Sequence, residues 1–149
     1  MTWLPDRPYT AGEWGYVNGK GRSTTSEIYN TVDGPVYQTW MEDITEYKID
    51  APAGTYEVEL LMADVSRPAR QQANLLGKGD ERASAVSKRF DITICGEVVE
   101  QNFSPADNNR YLNACRRRYI VNNNDGCIDI RFTPLQGKPV LSGLKVRRL

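Results

Sequence analysis

The sequence predicts an all-β protein folded as an antiparallel β-sandwich, and three observations carry that expectation. Apolar and polar residues alternate in several short runs, the period of a strand with one buried face. Gly, Pro, Asn and Asp gather between those runs at the spacing of turns. Helix-forming composition is confined to residues 66–87, between two such runs. A chain of 149 residues suffices for one domain hiding about 70% of its unfolded surface, so no disulfide scaffold is required.

Taken in order, the first ten residues, with Pro5 and Pro8, read as an arm joining a preceding domain; the whole of 1–149 reads as one sandwich. Glu46 to Ile49 forms an early strand, ended by Ala51-Pro52-Ala53-Gly54, where Pro removes a donor and Gly permits positive φ. Residues 55–64 place Tyr56, Val58, Leu60 and Met62 on one face and Glu57 and Glu59 on the other. In the 66–87 insertion, Pro68 suits a first helical turn and Gly77 stops a short helix near 67–76, with a loop after it. Phe90, Ile92 and Ile94 then alternate with Asp91 and Thr93, and Gly96-Glu97 reads as a two-residue turn into Val98-Val99. Tyr119 and Val121 on one side of Asp125-Gly126, and Ile128, Ile130 and Phe132 on the other, predict a second hairpin. Val140 to Val146 predicts a single closing strand.

Composition narrows the function classes. Lys plus Arg and Asp plus Glu each total 19, so no long-range field draws in nucleic acid. Histidine is absent, which excludes Ser-His and Cys-His catalysis and His-rich metal sites. No apolar run approaches the roughly 18–20 residues of a membrane helix, so no membrane partner is expected. The opening MTWLPDRPYT lacks the plan of a signal peptide, which leaves a cytoplasmic protein or a piece of a longer exported chain.

Cys95, Cys115 and Cys127 have no CxxC spacing and suit neither a zinc ribbon nor a redox motif. In the expected hairpin Cys115 and Cys127 lie too far apart to bridge, while Cys95 stays available to either. Arg116, Arg117 and Arg118 alternate between faces of a strand and so form no single basic patch; with Arg147 and Arg148 they suggest ion-paired arginines, a sulfated-glycan or phosphate site being the alternative. Arg117 shares a face with Tyr119 and Val121, which requires a sheet edge or an acid partner. Asn122-Asn123-Asn124-Asp125-Gly126 offers the oxygen ligands calcium prefers, but the same letters make a turn. No cofactor or metal is expected, structural calcium being the alternative.

Trp3, Tyr9, Trp14, Tyr16, Tyr29, Tyr37 and Trp40 crowd the first forty residues among Gly, Asn and Thr. Flat side chains on loops beside amides suit a sugar ring, whose C–H face packs on an aromatic plane while its hydroxyls seek planar partners. The alternative is that they close the ends of the sandwich.

Five segments then resemble, in order and spacing, a malectin-like domain: Gly12–Gly19 (GEWGYVNG), Pro35–Trp40 (PVYQTW), Tyr47–Asp64, Phe90–Asp107 and Gly126–Arg147. The likeness is to versions appended to bacterial glycoside hydrolases such as β-galactosidase-like enzymes. It implies a jelly-roll β-sandwich whose loops at one end hold a carbohydrate, in a protein working on glycans outside the cytoplasm. It also implies Trp14, Tyr16 and Tyr37 as aromatics at or near the sugar-holding places. Two positions depart from the family: Ser66-Arg67 replaces a pair of aromatics, and Leu135-Gln136-Gly137-Lys138 replaces an aspartate-bearing loop. Arg67 would supply a donor fork where stacking is lost.

The resulting expectation is a non-catalytic carbohydrate-binding or accessory module of a secreted glycoside hydrolase, extracellular or periplasmic, that takes a plant- or algal-type polysaccharide or oligosaccharide through loop aromatics. Trp14, Tyr16, Tyr37 and Trp40 would stack, with Gln38 and Arg67 orienting. Its partners would be the glycan and a catalytic domain of the same parent chain, and the isolated domain would be a monomer. The alternatives are a structural domain packed on that neighbour, or a glycosidase using Glu42, Asp43 or Glu46.

Overall fold

The computed structural model describes residues 3–66, 87–107 and 110–149. Along the chain run β1 (Trp14–Val17), β2 (Lys20–Ser23), the one-turn helix α1 (Gly34–Tyr37), β3 (Thr39–Glu42), β4 (Glu46–Asp50) and β5 (Gly54–Met62). They are followed by β6 (Arg89–Ile94), β7 (Glu97–Phe103), β8 (Cys115–Asn123), β9 (Cys127–Gln136), β10 (Val140–Leu141) and β11 (Gly143–Arg148). The helix expected near 67–76 lies outside the described residues.

A five-stranded sheet in the order β1-β4-β9-β6-β7 faces a three-stranded sheet β11-β5-β8, and a smaller sheet β10-β3-β2 stands beside them. All the strand pairs are antiparallel. The alternation in β5 decides the packing. Tyr56, Val58, Leu60 and Met62 enter one core with Phe90, Ile92 and Ile94 of β6 and Ile128, Ile130 and Phe132 of β9. Glu57 and Glu59 take the outer face, where Arg118 pairs with both at 2.8 and 3.4 Å. Arg116 joins Glu59 at 3.1 Å on that same face, while Arg117 turns the other way to Glu100 at 3.6 Å. The arginine triplet is thus divided between two faces and ion-paired.

Three sequence expectations need correction. The second hairpin does not form: β8 pairs with β5, whereas β9 pairs with β4 and β6 in the opposite sheet. Residues 124–126 are a corner between sheets, stitched by the buried Asn123, whose amide donates to the Ala51 and Pro52 carbonyls at 3.1 and 3.3 Å. Its oxygen accepts the Asp125 N–H at 3.3 Å, so the residue offered as a calcium ligand is spent on the backbone. The turn after β6 is Cys95-Gly96, one residue earlier than expected, with φ of 52° and 80°, the left-handed pair that matches hairpin twist. The closing strand breaks at Ser142: β10 pairs with β3, then β11 crosses to pair with β5.

All three cysteines are free. Cys115 opposes Met62 at one end of β5, and Cys127 opposes Asp50 in the other sheet, so separation follows from the crossover and not from a hairpin.

The arm packs along the sandwich. Tyr16 N–H donates to the Arg7 carbonyl at 3.0 Å and Tyr9 N–H to the Tyr16 carbonyl at 2.9 Å, which adds a ragged outer layer to β1. The Tyr47 hydroxyl donates to Asp6 at 2.8 Å and the Tyr9 hydroxyl to Asp50 at 2.8 Å.

Candidate functional site

The run Leu60-Leu61-Met62-Ala63 is apolar on both sides, so β5 must bury two faces at its end. Leu61 and Ala63 point away from the main core and form a second cluster with Ile28 and Tyr37. The helix α1 sits over them. Pro35 presets its first turn, and the Thr31 hydroxyl accepts the Asp33 N–H at 2.9 Å just before it. Tyr37, only 1% exposed, is the side chain this helix drives inward.

The loop ahead of α1 is held by a second loop. Tyr29 N–H donates to the Leu112 carbonyl at 2.8 Å, Ala114 N–H to the Tyr29 carbonyl at 2.9 Å, and the Asn30 amide to the Asn113 side-chain oxygen at 2.7 Å. Leu112 N–H in turn donates to the backbone carbonyl of Asp64, at 2.9 Å. The buried Asp64 carboxylate accepts the N–H groups of Ser66 and Lys88 at 2.9 and 3.3 Å, which holds those two residues beside each other.

These constraints leave a recess of about 450 Å³ walled by Asn30, Thr31, Val32, Tyr37, Ala114 and Arg116. The Arg116 guanidinium is the hydrogen-bonding neighbour of the buried Tyr37 hydroxyl, whose own O–H finds no acceptor among the described residues. Burial pushes its pKa up, and the neighbouring Arg116 offsets part of that rise, so it is a neutral donor and acceptor. Arg116 is balanced by Glu59 at 3.1 Å and Asp33 at 3.9 Å. Val32, 99% exposed, is rim and not core. An apolar rim over amide, hydroxyl and guanidinium groups is a chemistry that fits a polyol.

The structure separates the residues expected to act together. Tyr37 lines this recess. Trp14 and Tyr16 lie on strand β1, not on a loop, and both pack against the main core. Trp14 lines a different concavity, with the Arg7 guanidinium 3.5 Å from its ring centroid. The Gln38 amide donates to the Ser26 carbonyl at 2.9 Å, an anchor for the loop. Trp40 is on β3 opposite Arg22, and Arg67 lies outside the described residues. Asn30 and Thr31 were not singled out in the sequence, and Arg116 stood there only as one of an arginine triplet. The close Asn-Thr-Asp spacing before Gly34-Pro35 was the available signal for a built loop.

The acids near Trp40 do not converge on the recess. Glu42 pairs with Arg22 at 3.0 Å, and Glu46 with Arg131 at 3.5 Å and Lys48 at 3.7 Å. Burial, then the like charge of Asp129, holds the Glu46 carboxyl above its ordinary range. Among the described residues no cluster of three acidic or thiol side chains could hold a metal ion. No described helix is long and apolar enough to cross a membrane.

Residues 1–143 match the malectin domain, and the chain belongs to that family. It is similar to the Bacteroides uniformis β-glucuronidase, with 41% identity over 100% of this chain and a TM-score of 0.86, while covering 16% of that enzyme's chain. A calcium-binding mutant of Bacteroides uniformis β-glucuronidase 2 is similar at 42% identity over 100% of this chain, TM-score 0.85, again covering 16% of that chain. The ectodomain of ANX2 from Arabidopsis thaliana shares the fold, at TM-score 0.65 and 16% identity over 98% of this chain and 43% of that one. Among curated proteins none matches the chain. The chain thus spans about a sixth of the length of the glycoside hydrolases it matches.

Proposed function

We propose that this malectin domain is a non-catalytic saccharide-binding module of a glycoside hydrolase that works outside the cytoplasm, and that the Tyr37 recess is its binding site. The observation that carries the proposal is the buried Tyr37 hydroxyl, whose O–H has no acceptor among the described residues, inside a built recess with Asn30, Thr31 and Arg116. A buried O–H without an acceptor costs about 1–3 kcal/mol, and a ligand hydroxyl would recover it. The likeness to a β-glucuronidase supports the glycoside-hydrolase setting and a catalytic domain as neighbour in the same chain; the ligand proposed is a plant- or algal-type polysaccharide or oligosaccharide.

Affinity electrophoresis of the 149-residue chain in gels containing xylan, β-glucan, galactan or polygalacturonate tests the reading. Retardation by at least one polysaccharide, lost in Asn30→Ala and Thr31→Ala, is expected. No retardation by any of them favours a domain that only packs on its catalytic neighbour. Turnover of aryl glycosides by this chain, abolished in Glu42→Gln, would make it a hydrolase instead.

A further inference from the structure

A second concavity lies on the other side of α1. Pro35 and Val36 border it, whereas Tyr37 of the same turn borders the recess already described. The three-stranded sheet explains the arrangement: β8 supplies Arg116 to one recess and β11 supplies Lys145 to the other, with β5 and α1 between them. Two strand spacings, roughly 10 Å, therefore separate the two walls.

This groove holds about 890 Å³, within the range that buries a ligand of roughly two or three sugar rings. Its lip is the arm, residues 3–6, and its walls carry Trp3, Trp14, Tyr47 and Tyr56. Both tryptophans are braced from one side. The Arg7 guanidinium lies 3.5 Å from the Trp14 ring centroid, and the Lys145 ammonium 5.2 Å from that of Trp3. Gly143 lets Trp3 seat: a methyl built there would come within 3.3 Å of the indole and 3.0 Å of Val36. Held rings lose little side-chain entropy when a ligand stacks on them.

The groove also carries an unmet polar group. Ser142, at the break between β10 and β11, has a buried hydroxyl with no partner among the described residues. The nearby charges balance, Asp6 offsetting Lys145 on the walls and Glu13 pairing with Arg7 at 3.4 Å behind Trp14, which leaves no net field to select an anion. Aromatic platforms, an unsatisfied hydroxyl and balanced charge together describe a neutral carbohydrate better than an acidic chain or a purely apolar one.

We infer that the groove beneath the N-terminal arm is a second binding site for a neutral oligosaccharide, stacked on Trp3 and Trp14 and bonded to the Ser142 hydroxyl. The inference rests on the saccharide-binding reading above and extends it to a module with two sites flanking α1.

The three tryptophan indole N–H signals of the 15N-labelled chain provide the test, with xylotriose, cellotriose and galactotriose as neutral probes and trigalacturonate as the acidic one. At least one neutral trisaccharide should move the Trp3 and Trp14 indoles saturably and leave Trp40 in place. Ser142→Ala, a change too small to disturb the fold, should weaken that binding roughly threefold to tenfold. Indoles that stay fixed while the Asn30 and Ala114 amides shift would overturn the groove and leave the Tyr37 recess standing. No shift with any probe would overturn both. Movement with trigalacturonate alone, or unchanged affinity in Ser142→Ala, would overturn the neutral ligand or its anchor.

Discussion

Gly15 lies directly beneath Arg7: a methyl group built on it would collide with the Arg7 carbonyl oxygen and with Pro8 and Tyr9 backbone atoms. Backbone cannot yield as a flexible side chain can, so the absence of a side chain at 15 is what allows the arm to run along β1. Gly15→Ala should cost about 1–3 kcal/mol in a denaturant melt and expose residues 3–10 to proteolysis. Unchanged stability and protease resistance would show that the arm is not fixed by this contact.

The Tyr9–Asp50 bond predicts a pH signature at both ends of the scale. The Tyr9 hydroxyl, then the Gly12 N–H, hold the Asp50 carboxyl below its ordinary range. Its contribution to stability is therefore complete above the unfolded carboxylate pKa and is lost as pH falls through the lowered value. The same bond to Asp50 pushes the Tyr9 pKa up to about 12, so its contribution is present below about 10 and lost as pH rises toward that value. Thermal melts from pH 2 to 12 should show Tyr9→Phe with a flatter profile at both extremes. A parallel profile would remove the bond from the account.

Leu61 seats Tyr37. Fully buried in the cluster under α1, it supports the recess from below without touching its opening. Leu61→Ala should cost about 3 kcal/mol and let Tyr37 relax. Polysaccharide retardation would fall with it, while Leu60→Ala, on the main-core face, should lose similar stability and keep binding at temperatures where it is folded.

The thiols should be sluggish. Burial, reinforced by the Asp50 carboxylate, pushes Cys127 up to about 11, and burial also raises Cys95 and Cys115. At pH 8 each is mostly protonated, and the native protein should react with an aromatic disulfide reagent at least about tenfold slower than free cysteine. Unfolding should release three thiols without reductant.

Much of the sandwich is legible in sequence because strand alternation is local. Tyr56 to Met62 and Phe90 to Ile94 announce which face is buried without reference to any partner. The site is less legible. Trp14 and Trp40 stand out in composition as readily as Tyr37, yet the three occupy different strands and turns, and only the packing of α1 on Leu61 selects Tyr37 for the recess.

What the sequence determined by itself is the all-β class, the inward faces of β5, β6 and β9, the division of the arginine triplet and, through the order of its motifs, the malectin family. Only the tertiary structure decided which strands pair. Asp125-Gly126 carries the stronger hairpin signal, yet it joins two sheets, whereas Cys95-Gly96 closes a hairpin. The reason is that the apolar faces of β8 and β9 oppose each other across the core, and the buried Asn123 bonds to Ala51 and Pro52, residues distant in the chain. Turn residues state that the chain must bend. Where it goes next is set by the surface that remains to be covered.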